Sequence, residues 1–406
     1  MVRRVWLVLF ASVCLIGPHL DAADLPQLTP AQGGLNAERL AEIDGLVAMA
    51  ISEKRLPGCV ILIGRPEGIA WLKAFGDKRL EPEREPMTDD TVFDLASLTK
   101  PLATATSVMK LVEQGKLSLD EPVTKHIPEF GVEAKEAITI RDLLVHRSGL
   151  ISDNAMHDYS DGPLKAKERL FALMLSAPIG SKFMYSDVNF MMLGEVVARV
   201  SSQPLNEFAY REVFTPLGMS ETMYLPTEPL RQRAAPTEQR EGRWMQGEVH
   251  DPRAYKLGGV AGHAGLFGTA SDLARYATDA LAGINHDQSR ILKQETWRTM
   301  TTGLTIVGTD RQGQPTTDVR GLGWDMQSRY SINRGTKFSS SAFGHGGFTG
   351  IAIWIDPDNK LYVIFLSNRV HPNGKGLVNP LAGKIGEIAV EALEAKADST
   401  AKQPSP

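Results

Sequence analysis

A serine and a lysine three residues apart stand where an extended pattern gives way to a helical one. Ser97 and Lys100 follow the extended stretch 92–95 and open a pattern with apolar residues on one face. Side chains three apart share one side of a helix, and a serine at its N-terminus meets free backbone N–H groups. A buried lysine with a lowered pKa can accept the serine proton. The pair is therefore a candidate nucleophile and base, and the alternative is a capping serine beside a solvated lysine.

The same spacing occurs twice more, and its surroundings separate the three copies. Ser107 and Lys110 lie inside the same helical pattern, where the serine has no free backbone N–H groups nearby. Ser399 and Lys402 lie in the polar C-terminal stretch. Only Ser97 stands at a junction between a strand and a helix, so the sequence favours Ser97 as the nucleophile.

A tyrosine supplies the second candidate group. Tyr185 and Asp187 precede a helical pattern with an apolar face, and a tyrosine hydroxyl beside Ser97 can relay a proton to a leaving group. The tripeptide Tyr-Ser-Asp recurs at 159–161, but there it lies in a polar stretch with no apolar helix behind it. Asp187 also suits a plain helix cap.

The third candidate is the glycine-rich stretch 344–350, which directly precedes an apolar, strand-like run from Ile351. Glycines let a backbone edge approach a ligand closely, and its N–H groups can bind an oxyanion. The alternative is a tight turn before an edge strand.

Two hairpins and two helices, one pair from each end of the chain, frame these groups. Strands are predicted at 59–64 and 69–75, and again at 351–356 and 361–367, with turn residues between the members of each pair. Helical patterns begin at Asn36 and at Asn379. The polar stretches 227–257 and 305–320 are predicted to be surface loops.

These patterns predict an α/β fold of the α+β type, a mainly antiparallel sheet flanked by helices with an inserted helical region. The sheet domain is expected to combine 23–96 with 301–396. The mostly helical domain 97–300 carries the nucleophile, and 397–406 is expected to be a disordered tail.

Charge and the N-terminal segment limit the function classes. The 406 residues carry 44 basic and 48 acidic side chains, a formal net charge of -4, which gives no general attraction to nucleic acid.

Residues 1–22 read as a signal peptide, with Arg3 and Arg4, a short apolar run and Ala22 at the cleavage point. We expect a periplasmic or secreted protein without a stable membrane anchor; an uncleaved anchor is the alternative. Cys59 would then be the sole cysteine, expected as a buried structural thiol.

Taken in this order, the three motifs resemble the penicillin-recognising serine hydrolases, especially the class C β-lactamase branch with its D-alanyl peptidases and esterases. The resemblance covers almost the whole mature chain. It extends to 57–60 with 74–76, to 138–150, to 216–219 and to 354–357.

The resemblance implies an acyl-enzyme mechanism. Ser97 would be the nucleophile, Lys100 its base or electrostatic activator, and Tyr185 the proton relay. Backbone N–H groups of Ser97 and Phe348 would form the oxyanion hole. No metal or organic cofactor is expected.

The substrate-binding positions depart from the family pattern. Penicillin-directed members usually carry Asn where Asp187 stands, and Lys-Thr-Gly where His345, Gly346 and Gly347 stand. His345 is only partly charged near neutrality, and Gly346 has no hydroxyl. Two further expected contacts to a substrate carboxylate are Arg369 and Asn373.

We therefore expect an esterase or D-alanyl-peptidase-like hydrolase of small-molecule or cell-wall peptide or ester substrates, with weak or no β-lactam hydrolysis. A true class C-type β-lactamase and a non-turnover penicillin-binding sensor on the same fold are the alternatives. An unrelated metal hydrolase using His250, Asp251 and His263 is a third reading.

Overall fold

A computed structural model describes residues 25–132, 134–310 and 312–394; the predicted signal peptide and the tail 397–406 lie outside the described residues. The strands are Gly58–Arg65 (β1), Gly68–Arg79 (β2), Glu85–Pro86 (β3), Phe93–Asp94 (β4), Met223–Tyr224 (β5), Gln239–Arg240 (β6), Arg243–Trp244 (β7), Leu266–Gly268 (β8), Leu304–Thr309 (β9), Pro315–Arg320 (β10), Asp325–Gln327 (β11), Phe343–Gly347 (β12), Ile351–Asp356 (β13) and Leu361–Ser367 (β14). The α-helices are Ala37–Ser52 (α1), Thr106–Glu113 (α2), Ile140–Leu144 (α3), Pro163–Phe171 (α4), Asp187–Ser201 (α5), Leu205–Ala209 (α6), Thr215–Leu217 (α7), Glu228–Arg233 (α8), Pro252–Lys256 (α9), Ala270–His286 (α10), Gln294–Thr301 (α11) and Asn379–Glu391 (α12).

Strands from both chain ends form one large sheet. Among the described residues, nine strands join in the order β3-β2-β1-β14-β13-β12-β11-β10-β9, and each neighbouring pair is antiparallel. The first and last long strands meet in the middle, where Cys59 faces Ser367 and Gly64 faces Tyr362. The predicted fold class, a mainly antiparallel sheet flanked by helices, is confirmed.

Both faces of the sheet are covered, which explains why its inner strands are continuous apolar runs. Along β1, Cys59, Ile61 and Ile63 join the cluster that holds α1 and α12. Val60 and Leu62 point the other way, into the larger core that contains α10. Successive residues therefore serve opposite faces, as the pleat of a strand requires.

The predicted first helix begins as expected. The Asn36 side chain accepts a hydrogen bond from the backbone N–H of Arg39 at 2.8 Å and caps α1. Cys59 is buried as a free thiol, and burial raises its pKa, which fits a structural residue.

The prediction that the two polar stretches are surface loops was wrong where they form regular elements. The stretch 227–257 contains α8, β6, β7 and α9. The stretch 305–320 lies in the β9–β10 hairpin, and its apolar signal is weak because it forms the edge of the sheet. The alternative reading of the glycine stretch, a turn before an edge strand, is excluded. Residues 343–347 form β12, which lies inside the sheet between β11 and β13.

Within the described ranges, no helix combines the length and the apolar character that crossing a bilayer requires.

Candidate active site

The three motifs found in the sequence line one cavity of about 400 Å³. The residues predicted to act there and found in its wall are Ser97, Tyr185, Asp187, His345, Gly346, Gly347, Phe348 and Arg369. Further lining residues, which the sequence did not single out, include Arg320, Asp325, Tyr330 and Asn333. Lys100 lies behind this wall and reaches Ser97 from the protein interior.

Ser97 is held by a tight turn rather than by a regular helix start. Ala96 has a φ of +39°, a left-handed conformation that is costly for a residue with a Cβ. Its N–H donates to the Asp94 carboxylate at 2.8 Å, which helps to hold this conformation. A 3₁₀ turn at Ala96–Leu98 then leads into a wide π-helical turn at Lys100–Ala105 before α2 begins.

Lys100 is fully buried, and its ammonium has two hydrogen-bond acceptors and one ion-pair partner. Its Nζ donates to Ser97 Oγ at 2.9 Å and to the His263 carbonyl oxygen at 3.2 Å. It also lies 2.6 Å from Asp187 Oδ1 in an ion pair. This contact set fixes the ammonium directly behind the candidate nucleophile.

The expected lowering of the Lys100 pKa was wrong. Burial does act to lower this pKa, but the charge of Asp187 and the Tyr185 phenol outweigh burial and raise it to about 12. Burial alone would lower this pKa, and the Asp187 carboxylate, which is distant in the chain, more than compensates it. The group beside Ser97 is therefore an ammonium, which has no lone pair to accept a proton.

Tyr185 lies over the same ammonium, with Lys100 Nζ 4.9 Å from the centre of its ring. Burial raises the pKa of Tyr185, against the opposing effects of the Lys100 charge and of hydrogen bonds with Lys100 and Ser97. The ring is held by His146 at 4.6 Å and Tyr330 at 5.3 Å, measured between ring centres. Tyr185 therefore reaches both other members of the predicted triad.

The competing copies lie elsewhere in the core. Tyr159 is buried, not exposed in a polar loop, and its hydroxyl donates to Asn154 Oδ1 at 2.7 Å. Ser107 is buried on α2, and Lys110 there donates to the Ile291 carbonyl oxygen. Neither Tyr159 nor Ser107 lines the cavity of Ser97.

Asp187 is not the helix cap. Ser186 caps α5 by accepting from the backbone N–H of Asn189, and Asp187 is the first helical residue. Its carboxylate is engaged by Lys100, although the residue also lines the cavity. Its geometry indicates that it holds the ammonium, whereas the sequence had assigned it to substrate binding.

The glycine strand abuts the turn that carries Ser97. Thr349 Oγ1 donates to the Asp94 carbonyl oxygen at 2.8 Å, and a Cβ added at Gly347 would lie 3.2 Å from the Ala96 Cβ. The β12–β13 ladder ends at Gly347, so Phe348 follows the last paired residue. Phe348 is 59% exposed at the cavity. Its ring stacks on the His250 ring, and the Arg369 guanidinium lies over it.

His345 and Gly346 differ from the expectation. Burial first, then the charges of Arg320 and Lys100, hold the pKa of His345 well below its usual range, so it is neutral rather than partly charged. Its Nδ1 donates to the Gly346 carbonyl oxygen at 2.6 Å. A Cβ at Gly346 would lie 2.2 Å from Asn333 Nδ2, so this strand has no room for a hydroxyl-bearing residue unless Asn333 moves.

The two predicted carboxylate contacts do not fit that role. The Arg369 guanidinium donates to the carbonyl oxygens of Phe348, Gly374 and Gly376, so it holds the backbone beside the cavity. Asn373 is exposed, accepts from the Lys375 N–H at 3.2 Å and is not among the lining residues. The loop after β14 folds back on itself and carries Asn373 away.

Arg320 is the residue that the sequence analysis missed. It ends β10, only 1% of its side chain is exposed, and it lies 3.3 Å from Asp325 through Nη1 and Oδ1. The alternation of Thr317, Asp318, Val319 and Arg320 was the available signal, but the polar composition led to the loop prediction.

Of the three residues of the metal-hydrolase alternative, His250, Asp251 and His263, only the last two lie together. His263 Nε2 donates to Asp251 Oδ1 at 2.9 Å, whereas His250 pairs with Glu238 and stacks on Phe348. Ligand atoms of Asp187, Asp251 and His263 do lie within 4.8 Å of one another. However, the Lys100 ammonium already occupies the side of Asp187, and a second cation there would be repelled.

Comparison with known proteins agrees with this architecture. The Beta-lactamase family model matches residues 38–385. A protein of Escherichia coli (strain K12) named "Putative D-alanyl-D-alanine carboxypeptidase" is 30% identical, over 94% of this chain and 95% of that protein. The structure of EstCE1, described as a hydrolase with promiscuous acyltransferase activity, superposes with a TM-score of 0.68 at 24% identity, covering 88% of this chain and 99% of EstCE1. A penicillin-binding protein homologue from Caulobacter crescentus gives 0.68 at 22% identity, covering 89% and 99%.

The fold, and a cavity that gathers a serine, a lysine and a tyrosine, are those of a serine hydrolase. This chain belongs to the beta-lactamase family.

Proposed function

We propose that this protein is an exported, periplasmic or secreted serine hydrolase that cleaves ester or amide bonds through an acyl-enzyme at Ser97. The observation that carries the proposal is the buried Lys100 ammonium, which donates to Ser97 Oγ beside Tyr185 at the wall of the cavity. A serine without such a partner is a weak nucleophile.

The Lys100 charge state supports a relay in which no neutral lysine is needed. Ser97 Oγ attacks the carbonyl carbon while its proton passes to the Tyr185 oxygen, and the Tyr185 proton passes to the leaving group. The ammonium stabilises the negative charge that develops on Ser97 and Tyr185. Water then attacks the acyl-enzyme, and its proton returns to Ser97 through Tyr185.

The oxyanion would be held by backbone N–H groups of Ser97 and Phe348. Their segments are tied together by the Thr349 hydroxyl and meet closely at Ala96 and Gly347. Two rigid N–H donors at the position where charge develops are the common means of stabilising a tetrahedral intermediate.

We further propose a D-alanyl-peptidase-like or esterase-like substrate range with weak or no β-lactam hydrolysis. The printed name of the Escherichia coli relative supports the peptidase reading, and EstCE1 is described as a hydrolase with promiscuous acyltransferase activity, which is compatible with an acyl-enzyme formed from an ester. Against efficient β-lactam hydrolysis, His345 is neutral, and Gly346 has no hydroxyl and lies against the Asn333 amide. A small-molecule or cell-wall peptide or ester is therefore the expected substrate.

The first test is covalent labelling of the mature protein with a fluorophosphonate probe. Ser97→Ala should abolish labelling, because Ser97 is the serine to which the Lys100 ammonium donates. The matched control is Ser107→Ala, which removes the serine of a competing motif and should leave labelling intact. Labelling that persists in Ser97→Ala would contradict the mechanism.

The second test is a substrate panel: a short-chain aryl ester, a D-Ala-D-Ala peptide and a chromogenic cephalosporin. Steady turnover of the ester or peptide is expected, with little of the cephalosporin. A single burst without turnover would favour a penicillin-binding sensor, a preference for the cephalosporin would favour a class C-type β-lactamase, and loss of activity with chelator would favour a metal hydrolase.

A further inference from the structure

The segment that follows α3 holds the backbone of the candidate proton relay on both sides. Tyr185 lies between Met184 and Ser186 in the chain, and the N–H groups of both neighbours donate to one residue, His146. The Met184 N–H donates to the His146 carbonyl oxygen at 2.9 Å, and the Ser186 N–H donates to His146 Nδ1 at 3.1 Å. One residue therefore fixes the chain immediately before and immediately after Tyr185.

The same residue also packs against the phenol. The centre of the His146 ring lies 4.6 Å from that of Tyr185, and the two ring planes are inclined by 33°. Phe183 and Phe190 contact the imidazole as well, at 6.0 and 5.0 Å between ring centres. Packed aromatic rings prefer definite relative orientations, so the position of the phenol depends on that of the imidazole.

His146 makes these contacts from a backbone conformation that side chains rarely adopt. It is the first residue beyond α3 and its capping residue Val145, and its φ is +57°, in the left-handed region. Glycine is the usual residue there, and histidine is one of the few others enriched in this region. A buried side chain where glycine is the least strained choice indicates that the side chain has a task.

The hydrogen bond to Ser186 shows what that task requires. Nδ1 accepts only when it is unprotonated, so the neutral imidazole carries its proton on Nε2. Nε2 is buried without a hydrogen-bond partner among the described residues. An unpaired buried N–H is costly, and a phenylalanine ring of similar size would avoid it. The property that distinguishes histidine from such a ring is the acceptor at Nδ1.

The surroundings of His146 keep its imidazole neutral. The charged or titratable groups around it are Lys100, Tyr185, Arg320 at the end of β10 and His345 on β12. Burial first, and then the positive charges of Arg320 and Lys100, hold the pKa of His146 well below its usual range. Nδ1 therefore remains an acceptor at neutral pH.

We propose that His146 is a positioning residue for Tyr185, which holds the backbone on both sides of the tyrosine and packs on its ring so that the hydroxyl stays at Ser97. The inference rests on the proposed function, because it adds a residue to the same proton relay. Displacing a reacting group by about 1 Å can cost 100-fold in rate, since proton transfer needs hydrogen-bond distance. His146 acts only through Tyr185.

Two variants of similar shape test whether the acceptor matters. His146→Asn places Oδ1 near the position of Nδ1 and suits a left-handed backbone, whereas His146→Leu has the same branching and no acceptor. With a short-chain aryl ester, His146→Asn should keep kcat within about 5-fold of wild type. His146→Leu should fall about 10-fold further, the scale of one buried N–H left unpaired. KM should change little, because His146 is not expected to meet the substrate.

The pH profile supplies a readout that loss of packing would not move. Protonated His146 cannot accept from Ser186, so wild-type kcat should fall as the pH drops through a value below the ordinary 6.5 or so of histidine. Asparagine does not titrate, and His146→Asn should therefore keep its kcat to lower pH. Circular dichroism at each pH defines the range in which the fold is intact. A fall in kcat caused by His345 would persist in His146→Asn.

Ser148→Ala is the matched control for disturbance of the same segment. Ser148 is buried two residues later, where its hydroxyl donates to Asn189 Oδ1 at 2.7 Å and accepts from the Leu150 N–H at 3.1 Å. The variant loosens the segment without removing either hydrogen bond beside Tyr185. It should keep the kcat and the acid limb of wild type.

The outcomes separate the two proposals. If His146→Asn and His146→Leu have the same kcat, or if the acid limb is unchanged in His146→Asn, the positioning inference is wrong while the hydrolase proposal stands. Without an acid limb in the range where wild type is folded, the ratio between the two variants decides. If wild type hydrolyses no ester or peptide, the proposed function itself fails. Should His146→Leu not fold, nitrogen NMR of wild type decides, because a proton on Nδ1 of His146 would overturn the inference.

Discussion

Two buried cations serve one cavity, and their surroundings are opposite. The Lys100 ammonium donates to Ser97 Oγ and to the His263 carbonyl oxygen, and it forms an ion pair with Asp187. The Arg320 guanidinium has one ion-pair contact, with Asp325, and its Nε and Nη2 are buried without a hydrogen-bond partner among the described residues. Lys100 is held by contacts on three sides, whereas Arg320 keeps two donors unpaired in the cavity wall. This difference distinguishes the cation beside Ser97 from the cation of the surrounding wall.

The largest expected effects come from the Lys100 side of this comparison. Lys100→Ala and Tyr185→Phe should each lower kcat/KM by about 10²–10⁴, the scale of a positioned proton-transfer group. If both act on Ser97 as one unit, the double variant should lose much less than the product of the single losses. The measurement is a double-mutant cycle with a short-chain ester.

Tyr159→Phe is the control, because Tyr159 has the same following residues but bonds to Asn154 away from the cavity. It should retain wild-type turnover. Fully multiplicative losses for Lys100→Ala and Tyr185→Phe would argue against a shared proton path.

The sequence predicted the residues that are local to a motif better than the contacts between motifs. Ser97, Lys100 and Tyr185 were found because each stands where the sequence pattern predicts the start of a helix. The terminal hairpins were found because apolar runs and turn residues are adjacent in the chain. In contrast, the pairing of Lys100 with Asp187, 87 positions later, depends on tertiary structure and reversed the expected pKa shift.

The same reason explains the errors in substrate binding. Arg369 was expected to face the substrate, but its donors go to three backbone carbonyl oxygens supplied by the folded loop and by Phe348. Arg320 was missed because an edge strand of polar residues resembles a loop in sequence. Whether a donor is satisfied is decided by neighbours distant in the chain, and a single sequence does not give them.

Asp187→Asn tests the charge state of Lys100. In wild type the ammonium persists until the pH approaches about 12, because Asp187 and Tyr185 outweigh burial. Removing the carboxylate leaves burial less opposed, so the Lys100 pKa should fall. If the ammonium is the active form, the variant should lose activity at lower pH than wild type on the basic side of the kcat/KM profile.

Higher activity of Asp187→Asn near neutral pH would instead show that neutral Lys100 is the base. If neutral Lys100 were the base, lowering its pKa would increase the neutral fraction, and Asp187→Asn would be more active than wild type near neutral pH. The matched control is Asp153→Asn: Asp153 belongs to the same acidic neighbourhood as Asp187, but no contact joins it to Lys100. Its profile should stay close to that of wild type.

The smallest expected effect belongs to Arg369, the third cation of the cavity. Its guanidinium donates to the backbone carbonyl oxygens of Phe348, Gly374 and Gly376. In this it resembles Lys100, which also contacts protein acceptors, and differs from Arg320. Arg369→Gln should therefore loosen Phe348 and lower kcat by about 2- to 10-fold, the scale of one or two hydrogen bonds. The loss should be the same for the short-chain aryl ester and the D-Ala-D-Ala peptide, because Arg369 supports the backbone beside the oxyanion, which both substrates use. A loss confined to the D-Ala-D-Ala peptide, which carries a carboxylate, would instead make Arg369 the carboxylate contact, and its three backbone hydrogen bonds would not describe its role.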